Sequence, residues 1–124
     1  MDIVLSQTSD KPIYTQIFEQ ISGQILNGAI SPGTKLPPIR TVALDLRVSV
    51  IPVKQAWEQL EREGFITTAA GRGTYVQKLQ HHEIDRKRTD AAEQILTKDI
   101  AACKSIGMSC EEIRKIVERC FEKS

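Results

Sequence analysis

The sequence has few of the features by which membrane, secreted and metal-binding proteins are recognised. No apolar run approaches the roughly 18 residues of a transmembrane helix, and residues 1–10 lack the segments of a secretory signal. Cys103, Cys110 and Cys120 show no CxxC spacing, which argues against a disulfide framework or a zinc site. We therefore expect a soluble cytoplasmic protein without metal, cofactor or membrane contact, whose thiols are buried as small apolar groups. A metal site shared with His81 and His82, or a redox switch, is the alternative.

A strong charge and a catalytic motif are also absent. The formal net charge is +1, so overall charge gives no argument for a nucleic-acid partner. No serine or cysteine lies in a nucleophile motif, and no phosphate-binding glycine pattern appears. These absences argue against an enzyme, and a case for DNA must rest on where individual cations lie.

The first half of the chain carries the apolar periodicity of three helices. Isoleucine at every fourth position predicts an amphipathic helix over residues 12–27, which ends at Asn27-Gly28. A proline- and glycine-rich turn precedes a short helix at residues 39–46, and apolar spacings of three, four and seven predict a third at 49–63. Ser49 is suited to cap this helix, although the proline rule leaves open a start at Pro52.

Two β-branched and aromatic runs follow, at residues 65–68 and 74–77. They flank a segment in which Arg72 lies between Gly71 and Gly73, and this pattern predicts a β-hairpin with an arginine at its tip. Three helices followed by a hairpin are the element order of a winged helix-turn-helix. We assign this fold to a domain at residues 1–78.

Residues 79–124, which we call the tail, predict two further helices. The first covers residues 83–106 and the second 109–122, which begins with the capping box Ser109-Cys110-Glu111-Glu112. Because neither helix can cover its apolar face against the other alone, we expect a two-helix dimerisation hairpin that packs on a second chain. The expected interface residues are Ile95, Ile100, Ile113, Ile116, Val117, Cys120 and Phe121. The alternative is that the tail folds back on its own chain. The fold class is thus mainly α with a small β-hairpin.

Two helices joined by a tight turn, at residues 39–46 and 49–63, allow the second helix to enter a DNA major groove. On its outward side, Gln55 suits adenine, Lys54 suits guanine or phosphate, and Val50 and Ile51 suit thymine methyls. Arg72 between glycines can approach a phosphate or enter a minor groove. The candidate DNA-binding residues are Arg40, Ser49, Val50, Ile51, Lys54, Gln55, Arg72, Gly73 and Thr74. The simpler alternative is a solvated helix face and an ordinary hairpin turn.

Several spaced motifs within residues 11–77 resemble those of the GntR family of bacterial regulators. They include Pro32-Gly33, Leu36-Pro37-Pro38-Ile39-Arg40, Leu60-Glu61-Arg62-Glu63-Gly64-Phe65-Ile66 and Gly71-Arg72-Gly73-Thr74-Tyr75-Val76. The resemblance implies a winged helix-turn-helix that binds operator DNA as a dimer. It places contacts at Arg40, the start of the third helix, and the wing at Arg72 to Thr74. The short tail is similar to YtrA-type members, which implies dimerisation through the tail rather than a large ligand-binding domain.

Two departures from the family pattern affect recognition. Pro38 stands where a phosphate-binding serine is common, and Val50-Ile51 stand where polar residues are common. We therefore expect a repressor that binds double-stranded DNA at a palindromic operator as a homodimer, with more dependence on DNA shape and the wing. A small-molecule effector is left open. The alternative is a winged helix used for protein or RNA contacts, which the apolar pair would suit.

Overall fold

A computed structural model describes all 124 residues of the chain. Its elements are α1 (Ile13–Leu26), α2 (Ile39–Leu46), α3 (Val50–Arg62), β1 (Ile66–Ala69), β2 (Gly73–Val76), α4 (His81–Ser105) and α5 (Cys110–Lys123). Each predicted helix and strand is present, which confirms the fold class. The chain divides into two compact units, Met1–Ile84 and Asp85–Ser124, so the division falls within α4. The domain assignment at residues 1–78 and 79–124 stays a prediction.

The first unit encloses a core between its three helices and its hairpin. Helices α1 and α2 both pack on α3, and β1 packs on α3 as well. The most completely buried large side chains, each with at most 1% exposure, are Ile17, Ile21, Val53, Leu60 and Ile66. Burial of such a side chain contributes about 1.5–3 kcal/mol. This core therefore fixes the helix-turn-helix and the hairpin relative to each other.

An extended N-terminal arm, residues 1–6, lies along α1. Three glutamines that are one helical turn apart pair their side-chain amides with the backbone of alternate arm residues. The Gln20 amide accepts from the Val4 N–H at 2.8 Å and donates to the Val4 carbonyl at 2.7 Å. The same reciprocal pairs join Gln16 to Ser6 and Gln24 to Asp2. The arm thus satisfies its backbone groups as it would beside a β-strand.

The turn of the helix-turn-helix contains a strained residue. Arg47, directly after α2, has φ 58° and is the one residue other than glycine with a positive φ. The Arg47 N–H donates to the Leu44 carbonyl at 3.2 Å, and the Val48 N–H donates to the Ala43 carbonyl at 3.0 Å. These two bonds form a Schellman motif, which normally has glycine at this position. The turn therefore holds Arg47 in a conformation that its side chain disfavours.

The second unit has a well-defined helix start but no buried side chain in its helices. Helices α4 and α5 follow each other through a turn at Gly107, with little direct packing between them. The predicted capping box is confirmed, because the Glu112 N–H donates to Ser109 Oγ at 3.2 Å and the Ser109 N–H donates to the Glu112 carboxylate at 3.0 Å. The bond from the Ser109 backbone, and then the one with its side chain, lower the pKa of Glu112.

The three thiols are more exposed than the sequence led us to expect. Cys110 and Cys120 are exposed, Cys103 is half-buried, and none of the three forms a disulfide. The expectation of buried thiols is wrong for the single chain, because the helices that carry them bury no side chain. No group of three or more His, Cys, Asp and Glu side chains is placed to hold a metal ion. None of the five helices combines the length and apolarity needed to cross a bilayer.

Candidate nucleic-acid interface

The start of α3 presents apolar side chains to solvent. Ser49 occupies the N-cap position with an extended backbone, so the helix begins at Val50 and includes Pro52 in its first turn. The Ser49 hydroxyl makes no capping hydrogen bond. The Val50 and Ile51 side chains are 44% and 63% exposed. Both side chains are therefore accessible to a molecule that approaches the start of α3.

The two polar candidates on α3 lie on the side that faces solvent. Lys54 and Gln55 are exposed, whereas Val53, Ala56 and Trp57 on the other side of the helix are buried. Lys54 makes no ion pair within the chain. The first two turns of α3 therefore offer one cation and one amide next to the apolar pair.

Arg40 lies exposed in the first turn of α2. Pro38 is the N-cap of this helix, so no side-chain hydroxyl caps it. Arg40 has no acidic partner in the chain. A helix N-terminus attracts anions, and a guanidinium makes strong charge-assisted hydrogen bonds to phosphate. This end of α2 is therefore suited to a phosphate group.

The hairpin holds Arg72 at its tip. Ala69 pairs with Gly73 across the strands, and the Arg72 N–H donates to the Ala69 carbonyl at 2.9 Å. Gly71 and Gly73 have φ angles of 74° and 114°, which side-chain-bearing residues rarely adopt. The Tyr75 hydroxyl donates to the Arg72 carbonyl at 3.2 Å. These two hydrogen bonds hold the conformation of the turn. The Arg72 side chain is exposed and makes no ion pair.

The Thr74 side chain is less exposed than that of Arg72 at the tip of the wing. Its side chain is half-buried, and its hydroxyl lies 3.5 Å from the hydroxyl of Thr68 on the opposite strand. Thr68 in turn donates to the Glu61 carboxylate on α3. The Thr74 side chain is therefore part of a polar link between the hairpin and α3.

Residues 34–36 pair with β2 of the two-stranded sheet through an isolated antiparallel bridge, which the sequence did not predict. We call this short extended segment the third strand. The Leu36 N–H donates to the Thr74 carbonyl at 2.8 Å, and the Val76 N–H donates to the Thr34 carbonyl at 2.9 Å. Lys35 lies directly opposite Tyr75. Because side chains alternate along a strand, Leu36 is buried and Lys35 is exposed. Thr34, Lys35 and Leu36 are polar, polar and apolar, so no alternation in the sequence signals this pairing.

The seven predicted dimerisation residues lie on α4 and α5. The exposed fractions are 56% for Ile95, 40% for Ile100, 37% for Ile116, 49% for Val117 and 82% for Phe121. Cys120 is also exposed, and Ile113 is half-buried. The apolar faces of both helices are therefore uncovered in the single chain.

Residues 13–76, from the start of α1 to the end of β2, match the family model described as bacterial regulatory proteins, gntR family. The chain belongs to the GntR family. The matched GntR segment contains the helix-turn-helix, the strand at residues 34–36 and the wing. The resemblance that the sequence motifs indicated is thereby confirmed.

GntR-family relatives cover most of the chain. The HTH-type transcriptional repressor YtrA of Bacillus subtilis strain 168 is 37% identical over 94 residues, which are 75% of this chain and 72% of that protein. A GntR family transcriptional regulator from Listeria monocytogenes has a TM-score of 0.78 at 29% identity, and the match covers 93% of this chain and 98% of that one.

A third match is the AraR DNA-binding domain in complex with operator ORX1. It has a TM-score of 0.53 at 26% identity and covers 61% of this chain and 95% of that one. The relatives are named as transcriptional regulators rather than enzymes. This GntR-family chain is accordingly a DNA-binding transcription regulator and not an enzyme.

Proposed function

We propose that this regulator is a cytoplasmic repressor that binds a palindromic operator as a homodimer. The observation that carries the proposal is that one unit presents exposed cations without ion pairs on its helix-turn-helix and hairpin, while the other leaves two apolar helix faces uncovered. The similarity to a protein named as a repressor, and to a domain solved with its operator, supports the part concerning repression and operator DNA.

The candidate residues divide into two kinds of DNA contact. Arg40 and Arg72 suit backbone phosphates, which fix the position of the protein without reading sequence. Lys54 and Gln55, on the exposed side of α3, suit base edges in the major groove. The affinity therefore depends mainly on the first pair, and the choice of sequence on the second.

Val50 and Ile51 are apolar side chains in the first turn of α3, the helix that we expect to enter the major groove. The thymine methyl is the apolar group that the major groove displays, so we expect thymine opposite these side chains. Replacing that thymine with uracil removes only the methyl group. The expected loss for wild-type protein is about 0.8 kcal/mol, or roughly fourfold in affinity. The variant Ile51→Ala should lose much of this discrimination, and uracil at a non-contacted thymine is the matched control.

The tail provides the second part of the proposal. Helices without a packed face are marginal in water, so the exposed apolar residues of α4 and α5 favour pairing with the same helices of another chain. A two-fold dimer presents two copies of α3 to half-sites about one helical turn apart or a multiple of it. Occupation of such a site blocks access of RNA polymerase to the promoter.

The test is selection of binding sites from a random duplex library at two salt concentrations. The proposal expects an enriched inverted repeat whose binding weakens steeply as salt rises, because bound cations displace counterions from phosphates. Enrichment of a single unrepeated site would contradict the dimer. No enrichment by well-folded protein would contradict operator binding and would favour a winged helix that contacts protein or RNA.

A further inference from the structure

We propose that Lys35 is a further DNA-phosphate contact. Its side chain lies over Gly73, the residue that follows Arg72 at the tip of the wing. The inference rests on the proposed function and adds a residue that lies outside the hairpin and the recognition helix. It depends on a juxtaposition in the sheet, because Lys35 is far from the hairpin in sequence and reaches Gly73, the residue after Arg72, only through the third strand.

The backbone fixes the starting point of the Lys35 side chain. Hydrogen bonds on both sides of Lys35 join residues 33–36 to β2, including the Gly33 N–H to the Val76 carbonyl at 2.8 Å. Lys35 is opposite Tyr75 in an antiparallel bridge, so Gly73 is its diagonal neighbour on the same face of the sheet. That face is opposite to the one on which Leu36 and Val76 are buried.

The side chain then crosses the wing over Gly73. A Cβ atom built at Gly73 would lie 2.7 Å from Lys35 Cε and 3.5 Å from Lys35 Nζ. The lysine stem therefore occupies the space that any other residue at position 73 would fill. The lack of a side chain at Gly73 both allows its φ of 114° and admits the lysine.

The resulting pair of cations has no compensating anion in the chain. Neither Lys35 nor Arg72 makes an ion pair. The Glu61 carboxylate accepts a hydrogen bond from Thr68 of β1. Strand β1 and Lys35 lie on opposite sides of β2 in the sheet. Lys35 crosses Gly73, the residue after Arg72, so both cations belong to the tip of the wing, where phosphate oxygens can accept charge-assisted hydrogen bonds from them. The geometry points to one backbone phosphate, or two adjacent ones, at the wing.

The test is the salt dependence of binding to the selected duplex by three variants. Lys35→Met keeps a flexible stem over Gly73 and removes the charge. Its plot of log affinity against log salt concentration should be less steep by about 0.9 per subunit. If the affinities converge at 1 M salt, this difference amounts to about eightfold per subunit at 0.1 M. Lys35→Arg should keep the wild-type slope, and Lys11→Met is the control, because Lys11 is already paired with Glu19 at 2.9 Å.

The possible results separate the two proposals. A reduced slope for Lys35→Met, with the slopes of the other two variants unchanged, supports the phosphate contact. An unchanged slope for Lys35→Met overturns it while operator binding stands, and so does weaker binding by both Lys35 variants without a change of slope. If the unaltered protein binds no duplex at all, the proposed function fails together with this assignment.

Discussion

The two units of the molecule use similar amphipathic helices with opposite outcomes. In the first unit, the apolar faces of α1 and α3 close on each other and leave Ile17, Ile21 and Leu60 fully buried. In the second unit, apolar residues recur at helical spacing in the same way, yet Phe121 is 82% exposed and no side chain of α5 is buried. An apolar stripe on a helix therefore identifies a contact surface but not what covers it. The first unit covers its apolar faces within the chain, whereas the second leaves them exposed.

The largest effect is expected from placing a charge on the uncovered face of α5. Ile116→Asp would bury a carboxylate in each half of a dimer, at a cost of roughly 3–5 kcal/mol for each unpaired charge. Sedimentation equilibrium should then find monomers at concentrations where the wild-type protein is dimeric. Lys115→Asp, which puts the same carboxylate on the neighbouring exposed position, is the control. A dimer that survives the first change would place the interface elsewhere.

The next effect concerns the closed core of the first unit. Leu60→Ala should lower the free energy of unfolding by about 3 kcal/mol, since Leu60 is fully buried and the change leaves a cavity. Urea denaturation measures this loss in free energy. The control is Leu44→Ala, because Leu44 is 79% exposed and its expected loss is below about 0.5 kcal/mol. Equal losses at both positions would mean that the core is not built as described.

A smaller gain is expected at the turn between α2 and α3. Arg47→Gly relieves a left-handed conformation but makes the unfolded chain more flexible, so the net stabilisation should be about 0.5–1 kcal/mol. Thermal unfolding is the measurement. Glu58→Gly, at an exposed position in the interior of α3, should instead destabilise the protein by about 1 kcal/mol. Loss of stability in Arg47→Gly would show that the arginine side chain contributes more than its backbone strain costs.

The smallest effect is the acid sensitivity of the α5 cap. The capping box lowers the pKa of Glu112 in the folded state. The cap therefore stabilises α5 fully at a pH above the ordinary glutamate pKa, and this stabilisation is lost as the pH falls through the lowered value. The Ser109 amide resonance should follow this titration in NMR spectra. Glu112→Gln keeps an acceptor for the Ser109 N–H, so its spectrum should not change over that range.

Local patterns were sufficient to predict the helices and the hairpin. The short α2 has the predicted bounds, residues 39–46, because its apolar residues and the preceding prolines act within a few positions. The capping box of α5 was equally local. The cations on the wing and on α3 were identified from spacing alone, although their contact with DNA stays a prediction.

The features that were missed depend on partners distant in sequence. The strand at residues 34–36 is defined by β2, and the glutamine side chains of α1 bind an arm up to 22 residues away. Glutamine on an exposed helix face is ordinary, so nothing in the local pattern indicated that it would bind backbone. The position of Lys35 over Gly73 follows from the same long-range pairing. For the thiols, the expected burial needed a packed helix face that the single chain does not provide.

The most direct test asks whether the first unit binds DNA while the second pairs two chains. It uses the selected operator with both half-sites intact or with one scrambled. We expect two wild-type chains on each intact duplex and at least a hundredfold loss of affinity when one half-site is scrambled, because the tail couples the two binding events. Ile116→Asp should bind both duplexes with nearly the same affinity. A single wild-type chain on the intact duplex, or a full wild-type preference in Ile116→Asp, would contradict this division.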